Sequence, residues 1–269
     1  MSGAGNDFVV LDNKQNPVLP INEKFVQQFC DRRNGIGADG LITIEDSTDY
    51  NFVMNYYNAD GSTGSLCANG ARCAIRFAKE SGRIVSNKAS FISNGEKYSG
   101  EVTSDAEVIF YLNSPVKVNY DNKVKAGEKN FIAHFTDTGS PHIVIDLEEN
   151  KGLFNSLDEV PVEKLGKEIR YSKEFAPDGT NVNFVNVKNG ILFIRTYERG
   201  VEAETLACGT GSVAAALICY MKHKLTVPIE IIPKSKEKLL VNFDVENSKI
   251  KNLSLKGPAK IIFTGEMKI

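Results

Sequence analysis

Two stretches, "SLCANGARCA" at Ser65–Ala74 and "ETLACGTGSVAA" at Glu204–Ala215, share one arrangement. In each, a cysteine (Cys67 or Cys208) precedes small residues and then a run that favours a helix. Each stretch also follows a strand-like run that ends in a tyrosine and a polar residue. The cysteines lie about half of the chain length apart. This repetition predicts two related halves, each with a cysteine at the start of a helix.

The rest of the hydrophobic pattern is mostly strand-like. Short β-branched or aromatic runs begin at Phe8, Asn51, Glu107, His142 and Ile191. Three helices are predicted. The first has Asn22 as its N-cap, the second spans Asn69–Ser81 and ends at Gly82, and the third spans Thr210–His223. The pattern predicts a strand-rich α+β fold. We expect two domains, residues 1–116 with Cys67 and residues 117–258 with Cys208.

Composition excludes several classes of protein. The 269 residues are 42% hydrophobic and 25% charged, with a net charge of −2, as in an ordinary globular protein. A nucleic-acid partner would require a basic surface, and no apolar run reaches the roughly 18 residues of a membrane span. The N-terminal "MSGAGNDFVV" has no signal-peptide character. We therefore expect a cytoplasmic protein without nucleic-acid or membrane partners.

The odd number of cysteines argues against a disulfide framework. The five are scattered, and none forms a C-x₂-C pair, so we expect free thiols and no metal site. A lone cysteine is commonly a small core residue, which is the interpretation for Cys30, Cys73 and Cys219.

Cys67 and Cys208 have a more reactive setting. A cysteine at a helix N-terminus lies beside unpaired N–H groups and the positive end of the helix dipole, which should lower its thiol pKa toward neutrality. Two opposed groups of this kind suit inversion of a carbon centre, because one removes the Cα proton and the other delivers a proton to the opposite face. The helix starts would stabilise the charge that spreads into the adjacent carboxylate.

Six motifs appear in the order of a known family. They are "GAGNDFVVLDN" at Gly3, "RNGIGADGLI" at Arg33, "NADGSTGSLCANGARC" at Asn58, "GSPHIVI" at Gly139, "YERGVEAETLACGTGS" at Tyr197 and "GPAKIIFTGE" at Gly257. Together they resemble the diaminopimelate epimerases, over essentially the whole chain. The resemblance implies cofactor-independent interconversion of LL- and meso-diaminopimelate, in lysine and peptidoglycan precursor biosynthesis. It implies two pseudo-symmetric domains, each a barrel-like roll around a central helix, with the active site between them.

The resemblance also implies a final strand, near residues 259–269, that returns to the first domain, and we expect a homodimer. It makes Cys67 and Cys208 the two bases and His142 a supporting residue. Substrate contacts are implied for the remaining matched positions, which are Asn6, Asn58, Ala68, Asn69, Gly70, Asn181, Glu198, Arg199, Gly209 and Thr210. Arg199 would bind the distal carboxylate through its fork of donors, and Glu198 would accept from an ammonium group.

Three positions depart from the family pattern: Ala68 stands where the family usually has glycine, Ser140 where it has asparagine, and Gly40 where it has glutamine. The motif "GAGNDF" also begins unusually close to residue 1, so we expect a shortened first strand or a misassigned start.

One alternative is a proline or hydroxyproline racemase of the same superfamily, which typically carries Cys-Gly-His where this chain has Cys67-Ala68-Asn69. A phenazine-biosynthesis isomerase would lack the cysteine pair. A non-catalytic amino-acid-binding module would not need thiols.

Overall fold

The computed structural model describes residues 1–13, 21–104 and 106–266, which divide into two compact units. Unit 1 comprises Met1–Phe110 and Lys256–Ile269, and unit 2 comprises Tyr111–Leu255. The boundary between the units lies between Phe110 and Tyr111, inside a strand, and not after residue 116 as predicted. The structure is a sheet-dominated α+β fold with few helices, as predicted.

The described residues of unit 1 form one mixed sheet and two helices. The strands are β1 (Ser2–Gly3), β2 (Asn6–Asp12), β3 (Gly40–Glu45), β4 (Phe52–Asn58), β5 (Lys88–Ser93), β6 (Glu96–Val102) and β7 (Glu107–Tyr111), and the helices are α1 (Glu23–Cys30) and α2 (Ala68–Glu80). Neighbouring strands in the sheet follow the chain order from β1 to β7. Helix α2 packs against strands as far apart as β1 and β6. Because strands are spaced by about 4.8 Å, one helix can contact both only if the sheet curls around it.

Unit 2 is built in the same way. Its strands are β8 (Val118–Ala126), β9 (Lys129–Asp137), β10 (Pro141–Asp146), β11 (Asn181–Lys188), β12 (Ile191–Glu198), β13 (Ala203–Thr205), β14 (Ile229–Ile232), β15 (Leu239–Glu246) and β16 (Lys249–Pro258), and its helices are α3 (Val162–Arg170) and α4 (Gly209–His223). The last three residues of β16 belong to unit 1. The sheet order is β16-β15-β14-β12-β11-β10-β9-β8, with β13 beside β12. Helix α4 contacts strands from β9 to β15, so this sheet also wraps around a central helix.

The two units repeat one sequence of strand pairings. In unit 1 the pairs β2–β3, β3–β4, β4–β5 and β5–β6 are parallel, antiparallel, parallel and antiparallel. In unit 2 the pairs β10–β11, β11–β12, β12–β14 and β14–β15 follow the same series. The cysteine-capped helix leaves the third strand of each series, after β4 and after β12. The duplication inferred from two short stretches therefore extends to the topology of both units.

The predicted helices form where their caps indicate. Asn22 caps α1 by accepting a hydrogen bond from the Phe25 N–H group. Helix α2 begins at Ala68 rather than Asn69 and is followed by Gly82, whose φ of +75° favours glycine. Helix α4 begins at Gly209, one residue before the prediction. Its first eleven residues are all buried, which requires the small side chains of "GTGSVAAA".

The expected final strand is wrong in its position. Strand β16 ends at Pro258, and residues 259–266 form no further strand apart from one bridge between Lys260 and Ser2. Two backbone hydrogen bonds of 2.8 Å make this bridge, but β1 has only 2 residues and cannot extend the ladder. Residues 267–269 lie outside the described part of the chain. The segment nevertheless belongs to unit 1.

The departure at Gly40 is explained by a neighbouring aromatic ring. A Cβ atom at Gly40 would lie 2.6 Å from Cε2 of Tyr56 and 2.7 Å from the carbonyl oxygen of Tyr57. On its other side the Tyr56 ring fills the space over Gly64, where a Cβ would lie 2.3 Å from Cδ1. Tyr56 therefore occupies the volume that a larger residue at position 40 would need.

Gly40→Gln should accordingly destabilise the protein even though it restores the residue that the family usually has. We expect a loss of about 1–3 kcal/mol in the free energy of unfolding, typical of overpacking, measured by urea denaturation. Gly265→Gln is the matched control, because nothing lies within 4 Å of a Cβ built there. A Gly40→Gln variant as stable as the control would contradict this explanation.

Candidate active site

Each of the two repeated cysteines is the N-cap residue of the central helix of its unit. Cys67 has φ −100° and ψ 103°, and its Sγ accepts a hydrogen bond from the Gly70 N–H group at 3.4 Å. Cys208 has φ −109° and ψ 114°, and its Sγ accepts from the Gly211 N–H group, also at 3.4 Å. These thiols take the place of the hydroxyl or carboxylate that usually caps a helix. Both stand where orphan N–H groups can bind an anion.

The expected low pKa is wrong for Cys208. Cys208 is almost completely buried, and burial, followed by the negative charge of Glu198, raises its pKa well above the ordinary value. Hydrogen bonds from Thr210 and the Gly211 amide act in the opposite direction but do not compensate. Desolvation of the thiolate therefore exceeds the stabilisation by the helix start, and Cys208 is a neutral thiol at neutral pH.

We expect Glu198→Gln to make Cys208 more reactive toward alkylation. Removing the neighbouring negative charge lowers the thiol pKa, so the thiolate fraction at a given pH above neutrality rises. The measurement is iodoacetamide labelling of Cys208 between pH 7 and 10, quantified by peptide mass spectrometry. Glu230→Gln, on β14, is the control. An unchanged pH dependence in Glu198→Gln would show that Glu198 does not control the thiol.

The other three cysteines are packing residues, as predicted. Cys30, Cys73 and Cys219 are buried free thiols. Burial raises the pKa of Cys30 to about 11 and that of Cys73 to about 12, and it also raises the pKa of Cys219. They are inert at neutral pH and provide controls for the two cap cysteines.

In unit 1 the first turn of α2 brings together several predicted site residues. Ala68, Asn69 and Gly70 are all buried, and Ala68 is compatible with its position because it is the first helical residue. The Asn69 Nδ2 group donates to Oδ1 of Asn6 at 2.6 Å, and the Asn6 Nδ2 group donates to Asp39 Oδ2 at 3.0 Å. Asn58 lies at the end of β4 and donates to the Ser62 hydroxyl at 3.0 Å.

In unit 2, His142 lies behind Cys208 in a buried polar cluster. Its Nδ1 atom accepts from the Asn183 amide at 3.2 Å, so the proton of the neutral ring is on Nε2. Nε2 lies 3.0 Å from the hydroxyls of both Thr210 and Ser140. The Thr210 hydroxyl is in turn 3.6 Å from the Cys208 sulfur. Burial, and secondarily the charge of Arg199, lowers the pKa of His142 to about 3, so the ring remains neutral.

Asn181 connects this cluster to the segment that carries Arg199. Its Nδ2 group donates to the Pro141 carbonyl at 2.9 Å, and its Oδ1 accepts from the Arg199 backbone N–H group at 2.9 Å. The Arg199 guanidinium donates to the Asp178 carbonyl at 3.4 Å. It also lines an open groove of about 560 Å³ within unit 2. Glu198, the preceding residue, accepts a hydrogen bond from the Thr205 hydroxyl.

A second polar cluster of unit 2 has the residue types of a metal site. Asp121, His134 and Glu149 place one potential ligand atom each within 4.8 Å of one another. The ammonium group of Lys222 lies 2.7 Å from Asp121 and 2.9 Å from Glu149. These carboxylates already have a cationic partner, so the cluster is an ion-pair network.

Four polar residues around the predicted site were not predicted from the sequence. Asp39, Arg72, Asn183 and Thr196 hydrogen-bond to predicted site residues or to their partners. Asp39 and Arg72 lie within quoted motifs, and that was the available signal. Asn183 and Thr196 occupy ordinary strand positions, where nothing in the sequence distinguishes them.

The fold is shared with several solved structures at low sequence identity. A Bacillus anthracis phenazine biosynthesis protein of the PhzF family aligns with a TM-score of 0.68 and 12% identity, covering 97% of this chain and 93% of that one. A probable proline racemase from Agrobacterium radiobacter K84 also gives 0.68, with 14% identity over 90% of this chain and 79% of that one. These similarities define the fold class and nothing finer.

Sequence comparison identifies the family. The diaminopimelate epimerase family matches residues 1–118 and 134–262. The diaminopimelate epimerase of Chlorobaculum tepidum is 43% identical over 268 residues, which are 98% of each chain. That of a Hydrogenobaculum species is 41% identical, covering 98% of this chain and 95% of the relative. The chain belongs to the diaminopimelate epimerase family.

Proposed function

We propose that the protein interconverts LL- and meso-2,6-diaminopimelate by proton transfer at one Cα. The observation that carries the proposal is the pair of cysteines that cap the central helices of two topologically equivalent units. Relatives named diaminopimelate epimerase, one of them 43% identical over nearly the whole chain, support the substrate. The reaction is an isomerisation, so one proton leaves the carbon and another arrives, with no change of oxidation state.

The two thiols would act on opposite faces of the reacting carbon. Cys208 is a neutral thiol in the absence of substrate, so it is suited to deliver a proton first. Cys67 is then the base that removes the Cα proton as a thiolate. Turnover leaves Cys67 protonated and Cys208 as a thiolate, and proton exchange with solvent restores the initial state. The reverse reaction uses the same groups with exchanged roles.

Stabilisation of the carbanion is the difficult part of this chemistry. Its charge spreads into the adjacent carboxylate, for which the helix starts at Ala68-Asn69-Gly70 and at Gly209-Thr210 provide N–H donors. Asn6 would add a side-chain donor to the same carboxylate. His142, through the Thr210 hydroxyl, would hold the donors around Cys208 in place and remain neutral during turnover.

Residues farther from the reacting carbon would select the substrate. Arg199, with Asn58 and Asn181, is assigned to the distal carboxylate. Glu198 is assigned to an ammonium group, which is consistent with its position near Cys208. A site built to bind charged groups rejects analogues without them, because its own polar groups would be left unpaired.

Conversion of LL-diaminopimelate by purified protein tests this function. We expect chiral chromatography to show the meso isomer forming until an equilibrium mixture is reached, with the same mixture obtained from the meso isomer. Racemisation of proline or hydroxyproline instead would support the alternative racemase. Binding of diaminopimelate without conversion would support a non-catalytic module.

We further propose that the protein is a cytoplasmic homodimer that acts in lysine and peptidoglycan precursor biosynthesis. Light scattering of the purified protein tests the dimer.

A further inference from the structure

Arg72, in the second turn of α2, is a charged side chain with no exposed surface. Its guanidinium donates to the Ala68 carbonyl at 3.2 Å, to Oδ1 of Asn69 at 2.8 Å and to the Pro258 carbonyl at 3.5 Å. All three acceptors are neutral, and no salt bridge of Arg72 occurs among residues 1–13, 21–104 and 106–266. Burial lowers its pKa only to about 10, so it is charged at neutral pH. A buried charge is costly unless it is paired with an opposite charge and hydrogen-bonded. Hydrogen bonds to neutral acceptors offset only part of this cost, so the presence of Arg72 at this position points to a role beyond packing.

The guanidinium stands at one end of a chain of side-chain hydrogen bonds. Because it can only donate, the Asn69 side chain must turn its oxygen toward Arg72 and its NH₂ group toward Asn6. Asn6 accepts that bond and turns its own NH₂ group toward Asp39. At the far end the Asp39 carboxylate can only accept, and it is held by Arg32 at 2.7 Å. The two charged ends therefore fix the orientation of both amides.

We propose that Arg72 is a positioning residue that fixes the amide orientation of Asn69 and Asn6 for binding of the reacting carboxylate. The inference rests on the proposed function, which assigns the Asn6 side chain and the start of α2 to the reacting carboxylate. With this orientation, the second N–H bond of the Asn6 NH₂ group is the donor for the carboxylate. An inverted amide would present its oxygen and repel the same group. Fixing the orientation before the substrate arrives removes that reorganisation from the catalytic step.

A double-mutant cycle distinguishes positioning from a general structural role. We expect Arg72→Met to lower kcat by about 10- to 100-fold, as for misplacement of a binding group, with a smaller change in KM. In an Asn69→Ala background the same substitution should cost less than about 3-fold, because its effect passes through Asn69. Arg72→Lys should recover part of the loss. Equal losses in both backgrounds would overturn the proposal.

Side-chain NMR provides a readout that needs no substrate. We expect the ¹⁵N-¹H signals of the Asn6 and Asn69 NH₂ groups to shift in Arg72→Lys and Arg72→Met. They should stay in place in Arg76→Met, which removes an arginine one turn later that contacts Ser104 and Glu80. Arg72→Lys serves if Arg72→Met does not fold. Unmoved signals would refute the positioning role, whatever the activity. If the signals move but the unmodified protein has no epimerase activity, the positioning role of Arg72 stands and the proposed function is overturned.

Discussion

Cys67→Ala and Cys208→Ala should each reduce epimerisation by at least about 10³-fold while the protein remains folded. In the proposed mechanism each thiol carries one half of the proton transfer, and a general acid or base typically contributes 10²- to 10⁴-fold. Alanine cannot exchange a proton at all. The loss in the double variant should be close to that of either single variant, because both groups serve one event. The measurement is the initial rate from LL-diaminopimelate.

Two other cysteines on the same helices are matched controls. Cys73 lies on α2 and Cys219 on α4, and both are buried packing residues. Their alanine variants should lose stability without losing the catalytic step. Near-normal turnover in a folded Cys67→Ala or Cys208→Ala variant would remove that cysteine from the mechanism.

Arg199→Ala should lower kcat/KM by an amount equivalent to about 2–5 kcal/mol of transition-state stabilisation, the cost of removing one partner of a charged pair. Its guanidinium lines the groove of unit 2, where, within the described part of the chain, its one hydrogen-bond acceptor is the Asp178 carbonyl. A carboxylate is a much stronger partner for this fork of donors. Arg199→Lys should recover only part of the loss, because an ammonium group cannot make the bidentate contact.

The control for Arg199 is Lys123→Ala, which removes a positive charge from the same groove without removing the proposed contact. We expect its effect on kcat/KM to stay below about 1 kcal/mol, as for an exposed charge. Alanine and proline should be poor substrates of the unmodified protein, because neither has a distal carboxylate. Racemisation of either at a rate comparable with diaminopimelate would contradict this assignment.

The sequence was informative where local chemistry determines the structure. Asn22, Cys67 and Cys208 precede helices that begin within one residue of their predicted starts, because an N-cap and the small residues after it act locally. Helix α3 was missed, since its N-cap is Pro161, which makes no side-chain cap bond. Its buried positions, which include Gly166 against the Tyr197 ring, depend on tertiary packing.

The electrostatics of the site could not be predicted from local rules. A helix start favours a thiolate, but the raised pKa of Cys208 depends on its burial and on Glu198, and burial is a property of the folded unit. Gly40 similarly makes sense only once Tyr56 is seen to fill the adjacent space. The buried Arg72 lies inside a quoted motif, yet its contact with Pro258 joins distant parts of the chain.

The most direct test of two-base proton transfer is the reaction of LL-diaminopimelate in deuterated water, stopped in the first turnovers. Exchangeable thiols carry deuterium, so the account predicts one deuterium at the inverted Cα of the meso product. The remaining LL substrate should stay unlabelled, because the group that removes the proton is not the group that delivers one. Product without deuterium, or equal labelling of substrate and product from the start, would show that one group does both and would contradict the assignment of Cys67 and Cys208.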